Sequence, residues 1–296
     1  MPAESPTAGQ VRRKVRVFRA LTALDPRMPG VWRRPAGAER HLPTQAGPVR
    51  VLTYGLDRPE TLPLFINLHG GGFVMLHPEM DDRYMPALAS TAGVKIISVD
   101  YSLAPEAPFP QALEECYAVA TYAREHAADL GIDPDRIAMG GHSAGGNLSA
   151  ACCLLDRERR ALGLAALILD YPPMDLATDP SLKPTPKDAI PPHMSRTFDA
   201  AYCGTREAAR NPLVSPVYAT VDQVRHFPPT LVITASEDSL APEAEAFKDK
   251  LVEAGVDVAF RRFEGVPHGF THLKVPEAAE AWASMAGFLR RTLGAG

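Results

Sequence analysis

The sequence predicts an α/β fold, a mostly parallel central sheet flanked by helices. From about residue 62 onward, short apolar runs alternate with longer amphipathic ones, the pattern of strands covered by helices on both faces. The runs are strand-sized, and the last ones are β-branched and bounded by proline or glycine. The chain has 296 residues, a net charge of −4, 46% hydrophobic and 22% charged residues, enough for one large domain to bury its own core.

Taken in order, residues 1–45 hold one basic amphipathic helix, with Val11, Val15, Phe18 and Leu21 on one face, and then a linker rich in proline and arginine. Stable membrane anchoring usually needs two signals, so the apolar face of this helix is expected to pack on the protein. Strands are expected at 49–54, 62–68, 94–99, 136–140, 165–169, 230–235 and 256–263. Between them, residues 111–130 place Leu113, Cys116, Tyr117, Ala120 and Ala123 on one helical stripe. Residues 147–155 form an Ala/Leu/Cys-rich helix, and Pro242 opens a helix that Gly255 closes. A final helix is expected at 276–293. Residues 171–218 interrupt the alternation. Pro172, Pro173, Pro180, Pro184, Pro186, Pro191 and Pro192 exclude a continuing sheet there, and an insertion of this length suits a lid or binding wall. The expected division is therefore an N-terminal segment, 1–45, and a main α/β domain, 46–296, carrying an insertion at about 171–218.

Several function classes drop out. No apolar stretch approaches the roughly 20 residues of a membrane-spanning helix. The basic amino end is not followed by an apolar segment with a small-residue cleavage site, so the expected location is cytoplasmic. Four cysteines, Cys116, Cys152, Cys153 and Cys203, lack metal-ligand spacing and read as reduced thiols. The slightly acidic balance gives no electrostatic footprint for nucleic acid.

Chemistry concentrates in two glycine-rich turns. Gly141-His142-Ser143-Ala144-Gly145 lies between a strand and a helix. At such a turn the serine adopts a strained backbone and faces solvent, while its neighbours two residues either side pack too closely for a Cβ. The amide of Ala144 lies at a helix amino end, free to donate. His69-Gly70-Gly71-Gly72-Phe73 follows an apolar strand, and its glycines can turn backbone amides toward a developing oxyanion. A serine hydroxyl needs a base and an orienting acid. In sheets of this kind the acid and then the histidine follow the serine, each in a loop after a strand. Asp238 and His268 occupy such loops, with Glu237, Glu243 and Glu264 competing for the acid role. Of the nine histidines, His142 fills the variable slot of the serine turn. His41, His77, His126, His193, His226 and His272 are expected to be solvated or structurally satisfied.

The turns at 69–73 and 141–146, together with Asp100-Tyr101-Ser102-Leu103-Ala104-Pro105-Glu106, Asp238-Ser239-Leu240 and Pro267-His268-Gly269-Phe270, resemble the marks of the hormone-sensitive-lipase-like carboxylesterases. The resemblance covers about residues 45–296. It implies an α/β-hydrolase fold with a helical cap, Ser143 as nucleophile, His268 as base, Asp238 as orienter, and the amides of Gly71, Gly72 and Ala144 as oxyanion hole. His69, Gly70, Gly141 and Gly145 support these motifs. The amino-terminal helix and the proline-rich insertion would together form the cap. The implied reaction is hydrolysis of short- to medium-chain carboxylic esters through an acyl-enzyme, with no metal or organic cofactor and a small-molecule ester as the only required partner.

The sequence departs from the family at two positions. Ser102 stands where arginine is common, which would remove an ion pair near Glu106, and His142 stands where aspartate is usual, adding a titratable group beside the nucleophile. The amino-terminal segment is also short, implying a more open pocket. The competing readings are an amidase or peptidase with the same triad, and a ligand-binding receptor on the same fold. Loss of the base would mark the receptor, and His268 is present. Edge pairing through the carboxyl-terminal strand near 256–262 offers a route to a homodimer.

Overall fold

A computed structural model describes residues 6–24 and 35–294. Much of the expected linker, residues 25–34, lies outside the described residues. Eight strands form one sheet: β1 Ala38–Thr44, β2 Gly47–Tyr54, β3 Leu62–Leu68, β4 Lys95–Val99, β5 Ile132–His142, β6 Ala166–Asp170, β7 Thr230–Glu237 and β8 Val258–Pro267. The helices are α1 Ala8–Leu24, α2 Met85–Ala92, α3 Gln111–Glu125, α4 Ala127–Leu130, α5 Ala144–Arg159, α6 Pro192–Cys203, α7 Val221–Val224, α8 Ala241–Glu253 and α9 Pro276–Leu293.

The strand order is β1-β2-β4-β3-β5-β6-β7-β8. β2 runs antiparallel to both β1 and β4, and every other pairing is parallel. Successive residues of a strand face opposite sides, and β3 shows the consequence. Leu64, Ile66 and Leu68 enter one hydrophobic cluster with Val99, Met139 and Leu169, while Phe65 joins Ile96, Ala138, Ile168 and Ile233 in the other. Both faces are buried, so the central strands are mostly apolar, with Asn67, Ser98 and Thr234 among the few polar residues they enclose.

Three sequence expectations change. Residues 38–44, assigned to the amino-terminal segment, form β1 and belong to the sheet. The strand pairs only on one side, and of its residues only Leu42 is buried, so it carries no apolar run. The long helix expected at 111–130 breaks at His126, whose φ of −108° and ψ of 28° separate α3 from α4, and Gly131 then closes α4 in the left-handed conformation. Finally, Leu21 is exposed, although Val11 and Val15 on the same helix are buried as expected.

α1 packs on α6, inside the insertion, with Phe18 and Phe198 meeting edge to face at 5.7 Å. Arg19 fastens it further. Its guanidinium donates to the carbonyls of Val74 (2.6 Å) and Ala104 (2.9 Å) and pairs with Glu106 at 2.8 Å. Glu106 thus has an ion pair after all, supplied by α1. Ser102 serves another carboxylate, donating through its amide and hydroxyl to Glu115 at 2.6 and 2.8 Å.

The chain leaves β3 toward β4 on one side and leaves the neighbouring β5 toward β6 on the other, so the winding reverses between these two strands at their carboxyl ends. Such a switch point leaves a crevice beyond the strand ends, where open α/β sheets bind ligands. Leu68 and Gly141 are paired there, at the start of the two glycine-rich turns.

Candidate active site

The strand-to-helix turn between β5 and α5 is one residue long. Ser143 takes φ 52° and ψ −117°, a sparsely populated conformation that packing must hold in place. That packing is visible at the flanking glycines. A Cβ on Gly141 would stand 2.7 Å from the carbonyl carbon of Gly145, and one on Gly145 would stand 1.9 Å from the Leu68 carbonyl oxygen. Ser143 also donates its amide to the Asp170 carbonyl at 2.8 Å, which ties the turn to the end of β6.

The structure brings Ser143, His268 and Asp238 together. The Ser143 hydroxyl lies 3.0 Å from His268 Nε2, and His268 Nδ1 donates to Asp238 Oδ2 at 2.7 Å. Asp238 is almost fully buried and also accepts the Leu240 amide at 3.0 Å, which fixes its carboxylate. The competing acids lie elsewhere. Glu237 is exposed, Glu264 pairs with Arg262, and Glu243 pairs with Lys183 at 2.5 Å while accepting the amides of Met174 and Asp175. Burial disfavours the charged form of His268, but Asp238 outweighs it, and the imidazole's pKa ends above its ordinary value. Ser143 keeps 9% of its surface accessible.

The 69–73 turn abuts this group. A Cβ on Gly70 would lie 3.6 Å from that of Ser143. Gly71, at φ 122°, accepts the amides of both Val74 and Met75 on its carbonyl, each at 3.1 Å. The amides of Gly71 and Gly72 donate to no protein group among the described residues, and Ala144 opens α5, where the first helical amides lack intrahelical acceptors. His69 holds the turn from beneath. It stacks on Tyr101 at 4.1 Å, its carbonyl accepts the Tyr101 hydroxyl at 2.7 Å, and its Nδ1 donates to the Gly70 carbonyl at 2.6 Å. Burial lowers its pKa, which suits a neutral, structural ring.

Other neighbours were not singled out by the sequence reading. Phe198 of α6 presses on the glycine turn, 2.6 Å from where a Gly72 Cβ would stand. Asp170 gives its carbonyl to Ser143 and its Oδ2 to His142 Nδ1 (2.6 Å) and the Thr271 hydroxyl (3.1 Å). His142 is therefore not a free group beside Ser143 but one anchored in the interior. The apolar run of β6 predicted a strand there, but nothing in the sequence linked its terminal aspartate to the serine turn.

A serine, imidazole and carboxylate in this order, at the carboxyl edge of a doubly covered sheet, define an α/β hydrolase. A family profile described as α/β hydrolase fold matches residues 65–272. The chain belongs to that family, in its hormone-sensitive-lipase-like branch. It is 33% identical to carboxylesterase NlhH of Mycobacterium tuberculosis over 83% of this chain and 78% of the relative. It is 32% identical to an arylesterase of Saccharolobus solfataricus over 78% and 74% of the two chains. The crystal structure of EstE1, a thermostable carboxylesterase cloned from a metagenomic library, superposes with a TM-score of 0.81 at 30% identity, covering 98% of this chain and 99% of that one.

Proposed function

We propose that the protein is a serine carboxylesterase that hydrolyses short- to medium-chain carboxylic esters through an acyl-enzyme. The observation that carries this reading is the hydrogen-bonded chain from Asp238 through His268 to Ser143, set beside unengaged backbone amides. Asp238 holds the His268 proton on Nδ1, which leaves Nε2 to accept the serine proton as Oγ attacks the ester carbonyl. The amides of Gly71, Gly72 and Ala144 receive the developing oxyanion. His268 then returns the proton to the leaving alcohol, and a water activated by the same imidazole releases the acid. Neither half-reaction calls on a metal or organic cofactor.

In this reading α1 and the 171–218 insertion act as a cap. Their contact through Phe18 and Phe198 ends directly above Gly72, so the cap would shape the acyl pocket and set chain-length preference. The relatives named above are esterases, which favours esters over amides as the substrate class. We expect Ser143→Ala to abolish hydrolysis of p-nitrophenyl acetate and butyrate while the melting temperature holds or rises. A fluorophosphonate probe should label wild-type Ser143 stoichiometrically. Undiminished turnover in the variant, or a folded wild type that resists the probe, would overturn the assignment.

A further inference from the structure

Behind the serine turn lies a second cluster that the proposed reaction does not use. Asp81 precedes α2, His142 ends β5, and His272 follows the His268 loop. Asp81 is fully buried, the His142 side chain is 3% exposed and that of His272 14%. One ligand atom from each lies within 4.8 Å of the others. His272 Nε2 is 2.7 Å from Asp81 Oδ1, and His142 Nε2 is 3.8 Å from the same oxygen.

Every other polar atom of the three side chains is already committed. Asp81 Oδ2 accepts from Asn67 Nδ2 at 2.8 Å. His142 Nδ1 donates to Asp170 Oδ2 at 2.6 Å, and His272 Nδ1 lies 3.2 Å from both the Tyr171 and Thr271 hydroxyls. What remains is His142 Nε2 and the pair His272 Nε2 and Asp81 Oδ1, which hydrogen-bond only to each other, and all three converge. His142 Nε2 makes no hydrogen bond among the described residues, and it lies 3.8 Å from Asp81 Oδ1. Histidines that hold metals usually present one ring nitrogen to the ion and give the other N–H to a carboxylate, carbonyl or hydroxyl, and both rings here are arranged in that way.

Charge leads to the same place. Asp81 and Asp170 bring two carboxylates into the interior, and no lysine or arginine among the described residues pairs with either. One divalent cation would balance them. Two imidazole nitrogens and one carboxylate oxygen suit zinc or a similar transition ion, whereas calcium and magnesium require mainly oxygen ligands. Ligand atoms around a tetrahedral ion with bonds of about 2.0–2.1 Å stand roughly 3.3 Å apart, a value the observed separations bracket.

We propose that Asp81, His142 and His272 form a binding site for one zinc-class divalent cation, with Asp170, Tyr171 and Thr271 orienting the two imidazoles. Bound there, the ion would join three stretches that are distant in sequence directly behind Ser143. It would act as a cross-link rather than as a participant in ester cleavage, and the site fits beside the proposed esterase without depending on it.

The test uses the full chain, dialysed against EDTA and returned to metal-free buffer. Titration with Zn²⁺ should show one equivalent bound and a raised melting temperature, and Co²⁺ should give the intense visible absorption of a tetrahedral site. Losing even an outer-shell partner typically costs 10–100-fold in metal affinity, so Asp81→Asn and His272→Gln should each weaken binding at least about 100-fold. Circular dichroism establishes that each variant is folded, and His272→Gln, at the more accessible end, serves if Asp81→Asn is not. The proposal fails if folded wild type binds no Zn²⁺ and its melting temperature does not move, or if a folded variant binds as tightly as wild type.

Discussion

Gly145 makes one of the two tightest backbone approaches at the site, matched only by Gly71, and replacing it with alanine tests whether that approach sets the catalytic geometry. The added Cβ would lie 1.9 Å from the Leu68 oxygen, 2.5 Å from the Leu68 carbon and 2.7 Å from the His69 oxygen. All three are backbone atoms, so no side chain can swing aside. Reaching a tolerable contact near 3.0 Å requires α5 and the end of β3 to part by about 1 Å. Ser143 and Ala144 ride on α5, while Gly71 and Gly72 follow β3, so the separation falls between the serine and the glycine amides. Overpacking of this kind costs about 1–3 kcal/mol, which lowers the melting temperature of a chain this size by roughly 2–5 °C. A misplacement of about 1 Å costs on the order of 100-fold in rate. Thermal melts and kcat/KM for p-nitrophenyl butyrate read the two effects separately. Gly287→Ala is the control. Its Cβ would meet only Arg291 Nη1 at 3.4 Å inside α9, and the change should be neutral or mildly stabilising. Wild-type turnover together with a wild-type melting temperature in Gly145→Ala would refute the reasoning.

The acid limb of the pH–rate profile should follow His268. Its raised pKa means that turnover, full when the imidazole is neutral, is lost on descent through a value above about 6.5, and a limb centred below that would count against His268 as the base. Phe198→Ala removes the ring that presses on Gly72, and the preferred acyl chain in a p-nitrophenyl series from acetate to laurate should lengthen, whereas an unchanged profile would place the acyl pocket elsewhere.

The sheet was legible where burial is two-sided. β3, β4, β6 and β7 are short, predominantly apolar runs whose main competitor is a buried helix, and glycine or proline near their ends argues against that. β1 was not legible, because a strand paired on one side alone, with only Leu42 buried, leaves no apolar pattern. The residues gathered around Ser143 were readable because local backbone requirements impose them: close approach demands glycine at 141 and 145, and a strand-end loop presents Asp238 and His268. Contacts between distant polar side chains have no such signature. Asp81 and His272 lie 191 residues apart and meet only because α2 and the His268 loop share one edge of the sheet. Arg19 and Glu106 were invisible for the same reason. Their pairing depends on how α1 crosses the insertion, which no periodicity encodes.

The backbone at position 143 sits at φ 52° and ψ −117°, a conformation that costs an L-residue about 1–3 kcal/mol and that glycine adopts freely. With Ser143 as the proposed nucleophile, heat resistance and chemistry are therefore opposed at this one residue. A selection that rewarded only survival at high temperature would favour glycine there and, on the proposed mechanism, yield a sturdier protein without esterase activity. Any effort to harden this scaffold has to score turnover in the same round.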